Sequence, residues 1–198
     1  MIIKPDNEML SYSGRIDFDD RLAPVLVYAC SSIGMKFTGT SLKAVIANHR
    51  SCWTNELGYF IDGEQKRFTL SSDEEKKTYT LAEGLSEGTH ELLLFKRMDS
   101  CHTFTFYGFE IDDGAEVLPL PEKPKRKMEF FGDSVSCGEV SEAVAYVGKP
   151  DPEHDGEYSN SWYSYAWMTA RRLDAEIHDI AQGGIALLDG TGWFHAPD

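Results

Sequence analysis

No stretch of this 198-residue sequence approaches the ~20 consecutive apolar residues that cross a bilayer. Basic residues are scarce: 19 Lys and Arg stand against 33 Asp and Glu, for a formal net charge of −14. A field of that sign repels phosphate backbones, so neither nucleic acid nor a membrane is an expected partner. The four cysteines, at 30, 52, 101 and 137, include no C-x-x-C pair. That argues against a structural zinc site. Their irregular spacing favours free thiols, with the three possible two-disulfide pairings open. The N-terminus, Met1-Ile2-Ile3-Lys4-Pro5, lacks the apolar core of a signal peptide. This reads as a cytoplasmic protein, or a secreted one whose leader is not included.

Apolar material is not lacking. Hydrophobic residues make up 41% of the chain, with 11 Phe, 9 Tyr and 4 Trp, too much to leave in water, so disorder is excluded. Residues 1–117 read as all-β. Val25–Tyr28, Met35–Thr38, Leu42–Ile46, Tyr59–Asp62, Lys77–Leu81, His90–Phe95 and Phe104–Tyr107 are short runs rich in β-branched and aromatic residues, as strands prefer. Turn signals such as Asp62-Gly63 and Asp113-Gly114 separate them and supply the positive φ of tight hairpins. The pattern predicts a β-sandwich.

Residues 118–127 carry three prolines and four basic residues with no alternating apolar face, and read as a stiff, extended linker. In residues 128–198 the period changes. Met128–Phe131 reads as a buried parallel strand ending at Gly132. Ser159, Asn160 or Ser161 can cap a helix over about 161–173, on which Trp162, Ala166, Ala170 and Leu173 form one stripe. Ala175–Ala181 reads as a second strand ending at Gly183-Gly184. Strand, helix, strand is the start of an α/β parallel sheet.

The sharpest motif is Gly132-Asp133-Ser134. A serine just beyond a strand's C-terminal end sits where α/β folds place their sites. Gly132 allows a tight turn, and the N–H of Ser134 is free to point at a developing oxyanion. Ser136 occupies the place of the second glycine, so this is not a G-x-S-x-G elbow.

Phe130-Phe131-Gly132-Asp133-Ser134-Val135-Ser136 resembles the first conserved block of the SGNH (GDSL-type) hydrolases, and Ile180-Ala181-Gln182-Gly183-Gly184-Ile185 resembles the second. Upstream, Tyr12–Arg15, Met35–Leu42, Phe60–Gly63, Lys96-Arg97-Met98-Asp99 and Thr105–Ala115 are similar, in order, to the second family of carbohydrate esterases. The resemblance implies an N-terminal jelly roll followed by an SGNH domain that removes acetyl groups from plant polysaccharide of the xylan or mannan type, without a cofactor. It implies Ser134 as nucleophile, the N–H groups of Ser134 and Gly184 as oxyanion donors with Gly183 as the alternative, and Gly132 and Asp133 as shapers of the turn. The family's later blocks, which carry an asparagine oxyanion donor and the Asp-x-x-His base, find no counterpart here. The chain therefore reads as an N-terminal part of a two-domain esterase.

Two Asp-x-x-His spacings do occur. Asp99-x-x-His102 lies in the β-domain and reads as a strand-loop coincidence. Asp151-x-x-His154 lies in an acidic loop, Asp151 to Glu157, which reads as solvated rather than as a calcium frame. His195 is a third candidate base. Cys137 reads as a buried, inert thiol. Trp162 reads as core, whereas Trp53 and Trp193 are candidates for stacking on sugar rings. The competing functional reading is a non-catalytic carbohydrate-binding or structural sandwich with a vestigial hydrolase segment.

Overall fold

The computed structural model describes residues 1–153, 155–188 and 190–193. Twelve strands fill the first part: β1 (Ile2–Ile3), β2 (Ser11–Ser13), β3 (Ile16–Asp17), β4 (Val25–Leu26), β5 (Ser32–Thr38), β6 (Leu42–Arg50), β7 (Glu56–Ile61), β8 (Glu64–Thr69), β9 (Lys77–Ala82), β10 (Thr89–Lys96), β11 (His102–Ile111) and β12 (Val117–Leu118). They form two antiparallel sheets. One runs β3-β4-β11-β6-β9 with β1 alongside β11; the other runs β12-β5-β10-β7-β8 with β2 alongside β5. The expected sandwich is present.

Its core follows the strand period of two. Ile33, Met35 and Phe37 on β5, Leu42, Ala44 and Ile46 on β6, and Leu92 and Leu94 on β10 all point inward and are buried. On β11 the inward set changes parity, from Phe104 and Phe106 to Phe109 and Ile111. The cause is a bulge between Phe106 and Gly108, which adds one residue and keeps the apolar side facing the core. Gly108 has a φ of +127°, and a Cβ there would stand 2.4 Å from the Ile3 carbonyl oxygen. Gly108→Ala is therefore expected to cost about 1–3 kcal/mol, read as a lower denaturant midpoint. An unchanged midpoint would mean that β1 shifts freely.

The hairpin prediction at Asp62-Gly63 holds: both residues have positive φ, 52° and 84°, and join β7 to β8. β8 itself was not expected. Its sequence, Glu64-Gln65-Lys66-Arg67-Phe68-Thr69, is that of an exposed edge strand, where charge blunts unwanted pairing.

The second part holds β13 (Arg126–Gly132), α1 (Ser134–Cys137), α2 (Tyr165–Arg172) and β14 (Ala175–Ala181). β13 and β14 pair in parallel, from Arg126 opposite Ala175 to Gly132 opposite Ala181. The strand-helix-strand order is as read, with three corrections. β13 begins two residues earlier than expected and is not buried as expected: none of its residues is buried and Phe131 is 65% exposed. The linker does not stand free, because Leu118 pairs with β5 and Lys123 bridges to Glu176 at 2.8 Å. The helix starts at Tyr165, since Asn160 caps a separate 3-10 turn over Ser161–Tyr163 and Ser164 caps α2, accepting from the Trp167 N–H at 3.1 Å. Trp162 thus lies outside the helix and Leu173 is exposed; Trp167 joins Ala166 and Ala170 on the buried stripe.

That stripe packs on the outer face of the second sheet. Phe60, Leu93 and Phe95 meet Trp162, Trp167, Ala170, Ile177 and Ala181 in a second core. Both faces of β10 are therefore covered, which is why Leu92-Leu93-Leu94-Phe95 is apolar without alternation. All four cysteines are free thiols.

Candidate active site

Ser134 sits where β13 ends. Asp133, in extended conformation, caps α1 by accepting the Val135 N–H at 3.1 Å. A Cβ at Gly132 would stand 2.0 Å from Ser136 Oγ, so only glycine lets α1 fold back on β13. Ser136 is buried and bonded to the Tyr165 hydroxyl at 2.8 Å; this explains why a serine replaces the second glycine of an elbow. Cys137 is buried, as read, and burial pushes its thiol far up.

The Gly183-Gly184 turn leaves β14 at the same level. Gly132 is the register partner of Ala181, and the Gln182 N–H donates to the Gly132 carbonyl at 3.2 Å. Two parallel strands thus deliver the Ser134 turn and the glycine turn side by side. Gly184 is left-handed, with φ 74°, and its carbonyl accepts the Trp193 N–H at 2.7 Å. The Gly183 N–H donates to Asp99 Oδ2 at 2.7 Å.

Asp99 is 3% exposed. Its Oδ1 accepts from the Cys101 N–H at 3.2 Å and lies 3.3 Å from His102 Nδ1. Burial raises its pKa, but the bond to His102, the charge of Lys96 and the Gly183 N–H outweigh that and hold it below the usual carboxylate range. Lys96 is fully buried, bonds the Met98 and Asp99 carbonyls, and is pushed down to about 8 by desolvation. Arg97 is 2% exposed and bonds Glu142 at 2.5 Å and the Ser159 carbonyl at 2.9 Å. Glu139 lies against Gly183, where a Cβ would meet its Oε1 at 2.2 Å. Burial, then the charges of Asp99 and Asp133, push Glu139 up to about 7.

Asp99 and His102 are a buried pair at the seam between the two parts. His102 is fully buried, its Nε2 is 3.7 Å from Cys52 Sγ, and Trp53 stacks on its ring at 6.0 Å. Both ring nitrogens thus have a neighbour within the sandwich. Trp53 has one face covered by that imidazole, while Trp193 is 82% exposed. His154 and His195 lie outside the described residues. The acidic loop is not simply solvated: Thr54 Oγ1 donates to the Asp155 carbonyl at 2.6 Å, and Arg67 to the Glu157 carbonyl at 2.7 Å. Glu139 escaped the sequence reading, as did the contact of Asp99 with the Gly183 amide. The available signal for that contact was Lys96-Arg97-Met98-Asp99, a charged cluster directly after the apolar run Leu92–Phe95.

A groove of about 610 Å³ lined by Phe60, Leu93, Leu120, Trp162, Arg171 and Glu176 lies at the start of β14, at the far end of the strands from Ser134.

Comparison with known proteins matches residues 12–121 to the model of the "Carbohydrate esterase 2 N-terminal" family. A cellulase/esterase, CelE, of Acetivibrio thermocellus is 33% identical over 193 residues, covering 97% of this chain and 23% of that protein. An acetylxylan esterase / glucomannan deacetylase of Cellvibrio japonicus is 27% identical over 165 residues, covering 80% of this chain and 44% of that one. A solved family two carbohydrate esterase from Clostridium thermocellum, in complex with cellohexaose, superimposes with a TM-score of 0.82 at 30% identity, covering 96% of this chain and 55% of that chain. This chain thus spans between about a quarter and just over half of the length of these relatives. On the match to residues 12–121, more than half of its length, the chain belongs to carbohydrate esterase family 2.

Proposed function

We propose that this chain is part of a serine esterase that removes acetyl groups from plant polysaccharide of the xylan or mannan type. In this reading residues 1–117 are the jelly roll, 118–127 the connection and 128–198 the first part of an SGNH domain. Ser134 Oγ attacks the acetyl carbonyl. The tetrahedral oxyanion is received by the N–H groups of Ser134 and Gly184, because the Gly183 N–H is committed to Asp99. The sugar oxygen leaves with a proton, and water then releases acetate from the acyl-serine. The base is a histidine outside the described residues: His154, His195, or one in the length of the relatives that this chain does not span. Gly132 and Asp133 shape the turn, and Trp193, exposed next to the Gly184 carbonyl, offers a face for a sugar ring. No cofactor enters this scheme.

The observation that carries the reading is the pairing of the Ser134 turn with the glycine turn through the Gln182 N–H and the Gly132 carbonyl. The relatives' activities, acetylxylan esterase and glucomannan deacetylase, support the substrate class. In the full-length protein, Ser134→Ala is expected to lower acetate release from acetylated xylan by about 10³-fold or more, with an unchanged circular dichroism spectrum. Equal release by the two proteins would overturn the proposal.

A further inference from the structure

The loop from Met98 to His102 belongs to the sandwich, yet it grips the end of β14 at two points. Ser100 Oγ donates to Gln182 Oε1 at 2.8 Å, and Asp99 Oδ2 accepts the Gly183 N–H at 2.7 Å. The next residue is Gly184. The grip is built rather than incidental. Asp99 is 3% exposed, and its second oxygen is oriented by the Cys101 N–H and by His102 Nδ1. The loop under it is fixed by Lys96 Nζ, which bonds the Met98 and Asp99 carbonyls. A Cβ at position 183 would stand 3.0 Å from Asp99 Oδ2 and 2.2 Å from Glu139 Oε1, so the turn is seated between two carboxyl groups.

We infer that Asp99 is a positioning residue, by which the β-sandwich fixes the Gln182–Gly183 peptide plane and, through it, restrains the next plane, whose Gly184 N–H is aimed at the oxyanion. The inference rests on the esterase reading of Ser134 and Gly184. A carboxylate bonded to the first amide of a two-glycine turn anchors that end and so reduces the freedom that the pair would otherwise have. Oxyanion donors act only when held in place before the charge develops. The sandwich is then part of the catalytic apparatus, contributing order rather than a reacting group.

Amide NMR of the 198-residue chain tests the geometry. The Gly183 proton should lie downfield and exchange slowly. Asp99→Ala should speed its exchange by about tenfold or more and move the Gly184 signal as well. Asp99→Asn, which keeps an acceptor oxygen without the charge, should move the Gly183 proton upfield yet retain most of the protection. Asn also carries the test should the alanine variant not fold. Gly183 and Gly184 signals that ignore both substitutions would overturn the inference.

In the full-length protein, Asp99→Ala should lower kcat about tenfold or more at unchanged KM, with partial rescue by Asp99→Asn. A rise in KM alone would also overturn it. The two readings fail separately: hydrolysis that is independent of Ser134 sinks the esterase proposal, whereas glycine amides indifferent to residue 99 sink this one.

Discussion

Phe95→Ala should lower the unfolding free energy by about 3–5 kcal/mol, the usual range for deleting a buried aromatic ring. Phe95 is fully buried on the outer face of the second sheet. Its ring lies flat across Gly58 on neighbouring β7, its register partner, where a Cβ would come within 2.1 Å of the ring. It stacks on Phe60 at 5.8 Å and meets Trp167 edge-on at 5.3 Å. The ring is therefore shared by the sandwich and the strand-helix-strand part, and its loss opens a cavity in the seam rather than in either core. Urea unfolding followed by both circular dichroism and tryptophan emission would measure the loss. A cost below about 1 kcal/mol would mean that the seam closes around the gap.

The second large effect is electrostatic. Asp179, on β14, is fully buried; Cys30 Sγ lies 3.5 Å from one carboxyl oxygen, and the other has no hydrogen-bond partner among the described residues. Desolvation, only partly offset by the Cys30 contact, pushes its pKa up to about 7. In the unfolded chain it titrates near 4. Above pH 7 the folded protein carries the full cost of a buried carboxylate, on the order of 4 kcal/mol. That cost is relieved as pH falls from about 7 to about 4. Glu139, also raised to about 7 and partly exposed, acts in the same direction. Wild-type protein should therefore gain stability between pH 8 and pH 5, and Asp179→Asn should lose about half of that gain. Parallel stability curves for the two proteins over this range would refute the assignment.

How far the sequence foretold these features depends on how local their causes are. β14 was read correctly from Ala175 to Ala181, and the level pairing of the Ser134 and glycine turns follows once the two strands lie parallel. The Asp62-Gly63 hairpin was legible because its backbone demand is met by two adjacent residues. The parity change on β11 was not, because the bulge is fixed by Ile3, more than a hundred positions away in sequence. The seam was equally hidden. Phe60, Leu93 and Phe95 look like ordinary strand residues, and only the second layer shows why both faces of their sheet are apolar. Lys96, Arg97 and Asp99 carry the charge of a surface turn. They are buried because the loop's own carbonyls and His102 satisfy Lys96 and Asp99, while Glu142, the Ser159 carbonyl and the Gly183 N–H reach Arg97 and Asp99 from distant segments. The Gly183 amide was indistinguishable from that of Gly184 until Asp99 was seen to occupy it.

The placement of the indoles has an optical consequence. The sandwich core contains no tryptophan, and Tyr59 is its one buried tyrosine. Trp162 and Trp167 lie in the seam, with the Arg171 guanidinium 3.6 Å above the Trp162 ring. A cation so close to one face biases the excited indole, and its departure is a spectral event in its own right. The emission of Trp162 and Trp167 therefore watches the boundary between the two parts, over a background from Trp53 and the exposed Trp193, while far-ultraviolet dichroism, dominated by the strands, watches the sandwich. Coincidence of the two signals during denaturation measures how tightly the halves are coupled, with no label attached.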